Sequence, residues 1–188
     1  MPEALSPIIL ADWNDAWPAT FEAERVLLQD AIGEWAIAIE HVGSTSIPGI
    51  AAKPIIDICI AVASTDAQLK CVTPLVELGY DCLGEFGIPG RIYFRKLTDN
   101  PLPGQASGSN IGRTHQLHMF LAGHPEFEQH TIFRDYLRAH PDARDEYEQL
   151  KRKLAAKHED IENYAANKTD FVHRILRAAG EERSVEAK

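Results

Sequence analysis

The 188-residue sequence has no run close to the roughly 20 consecutive apolar residues that a membrane-spanning helix requires. Its N-terminal segment, MPEALSPIILADWNDAW, contains acidic residues but no basic residue ahead of the apolar stretch. A secretory signal peptide needs such a basic region, so none is predicted. From these two absences we expect a cytoplasmic protein.

Cysteine is scarce. Cys59, Cys71 and Cys82 lie far apart and form no Cys-x-x-Cys pair. This spacing excludes a disulfide framework and argues against a zinc ribbon. We therefore expect three reduced, buried thiols.

Basic residues are also few, since 19 Lys and Arg face 28 Asp and Glu, for a net charge of −9. Bulk nucleic acid binds mainly through Lys and Arg side chains that neutralise phosphates, so a general nucleic-acid role is disfavoured. A small phosphorylated ligand such as a nucleotide needs only a local cluster of donors and is still compatible with this charge.

The hydrophobic patterns predict an α/β (α+β) fold: a mixed β-sheet with packed helices and a helical C-terminal third. The helix after Trp17 precedes the strands AIAIEHV and PIIDICIAV. A second helix, two strands around GIPG and the strand HQLHMFLA follow, and helical patterns begin after His124. We expect one domain over residues 1–180 and a flexible tail over 181–188. The segment TDNPLPGQASGSNIGRT is predicted to be a loop.

Asp57 is an acid in the middle of the apolar strand PIIDICIAV. Strand alternation places Ile56, Ile58 and Ile60 on one face, with Asp57 and Cys59 on the other. An unpaired buried carboxylate is costly, so Asp57 must face solvent, pair with a base or bind a cation. The alternatives are a structural salt bridge and a ligand site.

A Gly-Ser turn precedes this strand. Gly43 allows the backbone to approach a ligand closely, and Ser44, Thr45 and Ser46 offer hydroxyl and backbone N–H groups. Lys53 adds a cation between the turn and the strand. This arrangement predicts phosphate binding, although the same residues also suit an ordinary strand exit and helix cap.

Histidine supplies further candidates. His115 and His118 are three residues apart on a strand, so they point to opposite faces and cannot both join Asp57. We favour His118 as the functional one and leave open that it is a core histidine. His41, next to the turn, is a weaker candidate.

Basic side chains on two later segments are candidate phosphate ligands. In RIYFRK, Arg91 shares a face with Tyr93 and Arg95, which suits a phosphate and a stacked ring but equally an exposed sheet edge. Arg113 follows the glycine-rich loop. Lys168 is expected to be a surface lysine, with a position at the cleft as the alternative.

The combination of Gly43-Ser44 and Asp57 resembles the nucleotidyltransferase superfamily pattern, in which the turn holds nucleotide phosphates and strand acids hold divalent metal. The resemblance implies phosphate binding by the turn and a single Mg²⁺ or Mn²⁺ at Asp57. The second acid of the pattern is replaced by Cys59, which argues against two-metal chemistry because Mg²⁺ prefers oxygen ligands. By the same analogy, His118 stands near the position of the third carboxylate.

A longer resemblance covers nearly the whole chain. The chain resembles the GrpB family in six segments: AWPATFEAE, IEHVGSTSIPGIAAKPIIDICIAV, GRIYFRK, THQLHMFLAGHPEF, FRDYLRAHPDARDEYEQLKRKLA and YAANKTDFV. That family is similar to nucleotidyltransferases in fold, and a related domain occurs fused behind dephospho-coenzyme-A kinase in some bacteria. The resemblance therefore implies a nucleotidyltransferase-like fold.

Three functional hypotheses follow. The first is a divergent nucleotidyltransferase that uses Asp57 and His118 as catalytic residues. The second is a protein that binds a nucleotide or related phosphate compound without catalysis. The third is a non-catalytic accessory or interaction protein linked to coenzyme-A metabolism.

Overall fold

The structure, a computed structural model, describes residues 10–97, 102, 112–156 and 167–186, with side chains described up to residue 182. Most of the predicted loop and residues 187–188 of the predicted tail lie outside this part of the chain. The elements are α1 (Ala16–Ile32), β1 (Ala36–Val42), a short 3₁₀ turn (Ser44–Ser46), β2 (Ile56–Val62), α2 (Thr65–Glu77), β3 (Tyr80–Cys82), β4 (Ile92–Leu97), β5 (Arg113–Leu121), α3 (Pro125–Ala139), α4 (Pro141–Ala156) and α5 (Thr169–Glu186).

The five strands form one mixed sheet in the order β1-β2-β5-β4-β3. Strands β2 and β5 are parallel, and the other neighbouring pairs are antiparallel. The predicted α/β fold with a helical C-terminal third is therefore confirmed. The sheet places the start of β2 and the start of β5 side by side, next to the end of β1.

The two sheet faces have different partners. Ile56, Ile58 and Ile60 point to the face covered by α1 and α2, where they form the main core with residues such as Trp17 and Leu28. Burial of such side chains is worth about 1.5–3 kcal/mol each, before entropy costs. The opposite face carries Asp57 and Cys59, and helix α3 packs against it. The alternation in PIIDICIAV is confirmed.

Helices α3, α4 and α5 share a second core with the turn after β1. Leu137, Tyr147 and Phe171 come from these three helices and pack with Ile47 and Ile50. Because these contacts join residues about 100 positions apart in sequence, the helical third is docked beside the start of β2. This docking brings residues of the C-terminal helices to the Asp57 side of the sheet.

Two sequence predictions differ from the structure. The flexible tail was expected from residue 181, but α5 continues to Glu186. The segment EERSVE contains good helix formers, and it extends a helix anchored through Phe171, Ile175 and Ala179. Of the three cysteines, Cys59 and Cys71 are buried as expected, whereas Cys82 is exposed because it lies on the edge strand β3.

Within the part of the chain that the structure describes, no helix combines the length and the hydropathy needed to cross a bilayer.

Candidate functional site

Asp57 lies near the start of β2, where three strands meet. Its Cα is paired with Val42 of β1 and Gln116 of β5. Because paired residues point to the same face, Asp57 and Gln116 lie side by side below α3. The Asp57 side chain sits in dense surroundings but is only partly shielded from solvent. Asp57 therefore lies at the junction of β1, β2 and β5 on the α3 side of the sheet, and its neighbour Gln116 was not singled out from the sequence.

Three cationic side chains act on the Asp57 carboxylate. Burial raises the pKa of Asp57 to about 7, and Lys168, Lys53 and Arg113 act in the opposite direction by attracting the charged form. The fact that the pKa still rises shows that desolvation outweighs these attractions. The carboxyl group is therefore poised to gain or lose a proton near neutral pH.

The lysines are perturbed in turn. Burial lowers the pKa of Lys168 to about 8, with Lys53 acting in the same direction and Asp57 against it. Burial also lowers the pKa of Lys53, and Arg113 adds to this effect. The expectation of a surface position for Lys168 is therefore wrong, because docking of α5 places this residue beside Asp57. The group contains three cations and one carboxylate, an arrangement that favours an anionic ligand.

The Gly-Ser turn touches Asp57 directly. Gly43 has φ +67°, and a Cβ atom at this position would lie 2.3 Å from Asp57 Oδ2. The turn is therefore closed against the carboxylate in a way that only glycine permits. Strand β1 ends at Val42, and the backbone of the turn that follows lies against the Asp57 side chain.

The three hydroxyl residues of the turn have different surroundings. Ser46 Oγ donates to the Gly43 carbonyl at 2.6 Å, and Thr45 Oγ1 donates to the Ile55 carbonyl at 3.2 Å. Both residues are buried, so these hydroxyls hold the turn in shape. Ser44 is half-buried and hydrogen-bonds with the Tyr147 phenol of α4. Among the three, Ser44 has the side chain best placed to meet a ligand.

Helix α4 contributes two residues that were not singled out from the sequence. Tyr147 is buried, and burial, together with the nearby Asp57 charge, raises its pKa to about 12. Lys151 is buried, and its Nζ donates to the Ala51 carbonyl and lies 4.8 Å from the centroid of the Tyr147 ring. Burial and then the charge of Lys168 lower the pKa of Lys151 to about 7.

The two histidines of β5 point to opposite faces, as predicted. His115 lies on the α1 face, where its Nε2 is 3.9 Å from the buried Glu24 carboxylate. His118 is paired with Cys59 and Tyr93, so it lies on the Asp57 face. It is two residues farther along β5 than Gln116, the residue directly beside Asp57. His41 points to the α1 face, where it stacks on Phe21 at 4.7 Å.

The His118 ring has a defined hydrogen-bonding state. Arg91 Nη1 lies 3.2 Å from His118 Nδ1, and because a guanidinium can only donate, Nδ1 must accept. Burial, His130 and Arg91 hold the pKa of His118 well below its usual range. His118 is therefore neutral with its proton on Nε2, and it can act as a hydrogen-bond donor.

Arg91 is held within the protein. Its Nη2 donates to the Phe86 carbonyl at 2.6 Å and its Nε to the Glu85 carbonyl at 3.2 Å, in addition to the contact with His118. The residue is only 6% exposed. These contacts give Arg91 a clear part in shaping the turn before β4, and phosphate binding by Arg91 stays a prediction.

The residues around Asp57 do not by themselves form a divalent-metal site. The position of the second acid is Cys59, whose thiol pKa is raised by burial, and the cross-strand neighbour is the neutral Gln116. Across the described ranges, no three His, Cys, Asp or Glu side chains converge as metal ligands would. Mg²⁺ requires several oxygen donors, and three nearby cations oppose its binding. Binding of Mg²⁺ or Mn²⁺ at Asp57 therefore stays a prediction, and no chemical step is derived from it.

The fold and this site define a mixed-sheet α/β domain in which three cationic side chains act on one carboxylate. The profile of the GrpB protein family matches residues 7–178, so the chain belongs to the GrpB family. It is 33% identical to the crystal structure of the conserved protein GrpB from Enterococcus faecalis, with a TM-score of 0.79, covering 93% of this chain and 99% of that one. The family resemblance seen in the sequence is thus confirmed.

Relatives of different lengths contain this domain. UPF0157 protein YqkA of Bacillus subtilis is 43% identical over 91% of this chain, which spans 46% of that protein. The glutamate-rich protein GrpB of Alkalihalophilus pseudofirmus is 39% identical over 90% of this chain and 94% of its own length. A dephospho-CoA kinase of Mycolicibacterium paratuberculosis is 32% identical over 94% of this chain and 47% of that protein.

A weak structural similarity to a nucleotidyltransferase is also present. The poly(U) polymerase Cid1 with bound MgGTP aligns with a TM-score of 0.41 and 12% identity, over 68% of this chain and 42% of that one. Similarity at this level carries no functional conclusion.

Proposed function

We propose that this protein binds a small phosphorylated ligand, such as a nucleotide, at the cationic residues around Asp57. The observation that carries the proposal is the convergence of Lys53, Arg113 and Lys168 on one carboxylate beside a glycine turn. These cations come from three separate parts of the chain. A structural ion pair would need only one of them, whereas a polyanionic phosphate uses several.

The surroundings of Asp57 support this assignment. A phosphate above the carboxylate would accept hydrogen bonds from the lysine and arginine side chains and from Ser44. Two negative groups repel each other unless one is protonated, and the pKa of Asp57 near 7 allows the protonated carboxyl to donate to a phosphate oxygen. Ligand binding is therefore expected to be coupled to proton uptake at Asp57 when the experiment is done above pH 7.

A more specific form of the proposal is that the protein also catalyses a reaction of the bound ligand. In a divergent nucleotidyltransferase, the form with ionised Asp57 would be the active one. Asp57 would accept a proton from the attacking group as that group bonds to the α-phosphorus and pyrophosphate leaves, and the neutral His118 would donate a hydrogen bond through Nε2. Lys53, Arg113 and Lys168 would stabilise charge that develops on the phosphate. With a single strand carboxylate, most of the rate would come from this electrostatic stabilisation.

The test is thermal unfolding with a panel of nucleoside triphosphates and coenzyme A, each with Mg²⁺, with Mn²⁺ and with chelator. A ligand at about 100 times its dissociation constant adds about 2.7 kcal/mol to the free energy of unfolding. For a chain of this length, each kcal/mol raises the melting temperature by roughly 2–4 °C. Lys53→Met is expected to weaken the shift. Lys70→Met is the matched control, because Lys70 is exposed and pairs with Asp66 on α2.

The outcomes separate the alternatives. A shift that requires metal and a product that forms only with intact Asp57 would support the divergent enzyme. A shift without metal and without product would support a binding protein. If no phosphorylated compound shifts the melting temperature, or if Lys53→Met and Lys70→Met behave alike, the proposal is refuted.

The second candidate is a non-catalytic accessory protein linked to coenzyme-A metabolism. It is favoured by the 32% identity to part of a dephospho-CoA kinase. Coenzyme A and dephospho-coenzyme A should then give the largest shifts of the panel, or the protein should bind a separately expressed dephospho-CoA kinase in solution. This candidate would be excluded if coenzyme A and dephospho-coenzyme A gave shifts no larger than those of simple nucleotides and if analytical ultracentrifugation showed no complex with the kinase.

A further inference from the structure

The turn between β3 and β4 presents an exposed aromatic ring at a strained position. Phe86 has φ +44°, and within the described ranges it is the one non-glycine residue with positive φ. Its side chain is among the most exposed large apolar ones, at 65%. A bulky residue in this conformation costs about 1–2 kcal/mol, and stacking of the ring on Tyr93 stabilises the fold by only about 0.5–1.5 kcal/mol. Glycine would avoid the strain, so the net gain in fold stability from phenylalanine at this position is small.

The surrounding turn holds Phe86 in place. Arg91 donates to the carbonyls of Glu85 and Phe86, and the Gly90 N–H donates to Glu85 Oε1 at 2.7 Å. The Phe86 ring stacks on Tyr93 with centroids 5.0 Å apart and planes within 15°. One face of the ring therefore rests on a buried tyrosine, while most of the side chain is open to solvent.

Phe86 lies on the same side of the sheet as Asp57. Tyr93 is paired with His118 of β5, and His118 is paired with Cys59 of β2, so all three point to the α3 face. Neighbouring strands are about 4.8 Å apart, and one step of two residues along a strand is about 7 Å. Tyr93 thus lies about 12 Å from Asp57 across the face. The charges of Arg113 and Asp57 both affect the pKa of the Tyr93 phenol, so this ring lies within electrostatic range of the residues around Asp57.

We propose that Phe86 is the stacking surface for a planar aromatic ring of the ligand whose phosphate binds at Asp57. The inference rests on the proposed function and narrows it to phosphate compounds that carry an aromatic base. A phosphate chain joined to the base through a sugar spans the distance between the two groups. Stacking on an aromatic side chain accepts every base, because each has a π-face, so Phe86 selects for the presence of a base rather than for its identity.

Arg91 becomes a positioning residue in this arrangement. Its guanidinium joins the turn to His118, so it holds the Phe86 ring at a fixed distance from the sheet. It acts on the ligand through the position of the ring and has no need to touch the phosphate.

The test compares adenosine diphosphate with inorganic pyrophosphate by isothermal titration calorimetry. The two probes share the diphosphate and differ in the adenosine. Wild type is expected to bind adenosine diphosphate more tightly. Phe86→Ala should weaken the binding of adenosine diphosphate roughly 5- to 100-fold. The affinity for pyrophosphate should stay within about twofold of wild type, because the ring stacks on the base alone. Phe86→Trp should retain the preference. Leu69→Ala, at a side chain 64% exposed on α2, is the matched control and should change neither affinity.

The outcomes distinguish this inference from the proposed function. If both probes bind but Phe86→Ala leaves their affinity ratio unchanged, the stacking proposal is refuted and phosphate binding stands. If neither probe binds wild type, the stacking proposal is refuted, and the panel of nucleoside triphosphates and coenzyme A still decides the proposed function. Arg91→Lys should reduce the preference for adenosine diphosphate with little effect on pyrophosphate. An equal loss for both probes would show that Arg91 binds phosphate or supports the fold, and would refute its positioning role.

Discussion

Removing the charge of Asp57 should make the protein more stable at alkaline pH. Burial raises the pKa of this carboxyl from 3.8 to about 7. Between these two values the folded protein holds a proton that the unfolded chain has lost, so stability falls as the pH rises through this window. Above about pH 7 the folded protein carries the full penalty of an ionised carboxylate. Asp57→Asn keeps the shape of the protonated acid and avoids that penalty.

The size of the effect follows from the shift. About 3 pKa units at 1.36 kcal/mol each give an upper bound of about 4 kcal/mol. Partial access of solvent and the three neighbouring cations reduce the value that will be measured, so we expect about 2 kcal/mol at pH 8. For a chain of this length, this corresponds to a melting temperature about 4–8 °C higher for the variant. At pH 4 the two proteins should melt at nearly the same temperature.

The assay is thermal or urea unfolding of wild type and Asp57→Asn from pH 4 to pH 8. The difference between the two proteins isolates Asp57 from other titrating groups. This matters because burial lowers the pKa of His41 to about 3 and of His115 to about 4, and these groups make stability rise with pH. Asp81→Asn, at an exposed carboxylate of β3, is the control and should change stability by less than about 0.5 kcal/mol. A variant that is less stable than wild type at pH 8 would refute the reasoning and show that Asp57 is a stabilising partner of the cations.

Further predictions concern the turn and the helical third. Gly43→Ala should destabilise the protein by about 2–4 kcal/mol in urea unfolding, because its Cβ would lie 2.3 Å from Asp57 Oδ2 at a positive φ. Gly123→Ala, also at positive φ but with no atom within 4 Å, should cost only about 1 kcal/mol, and equal losses would contradict the contact. The Lys151→Met variant should be most stable relative to wild type at pH 6–7. The pKa of Lys151 is lowered from 10.5 to about 7, so wild type gains stability relative to the variant as the pH rises from about 7 towards 10.5. A stability difference that does not change with pH would contradict this.

Local patterns in the sequence correctly predicted the elements that carry the site. Alternation along β2 separated Asp57 and Cys59 from the isoleucines, and the spacing of His115 and His118 placed them on opposite faces. Both predictions follow from the two-residue period of a strand, which does not depend on the rest of the fold.

Other features of the site depend on distant packing. The motif analogy placed His118 near the position of a third carboxylate, which stays a prediction, and the parallel register between β2 and β5 puts Gln116 directly beside Asp57. Register between strands far apart in sequence is set by the whole sheet, and a motif within one strand does not contain it. The thiol of Cys82 was expected to be buried, and its exposure follows from the position of β3 at the sheet edge.

The sequence by itself determined the family, the order of the elements and the carboxylate at the centre of the site. Only the tertiary structure decided which groups surround that carboxylate. Tyr147 and Lys168 reach it because α4 and α5 dock through Tyr147 and Phe171 onto the turn after β1. Such docking results from the summed burial of apolar side chains from separate segments, whereas strand alternation is a property of neighbouring residues along one segment.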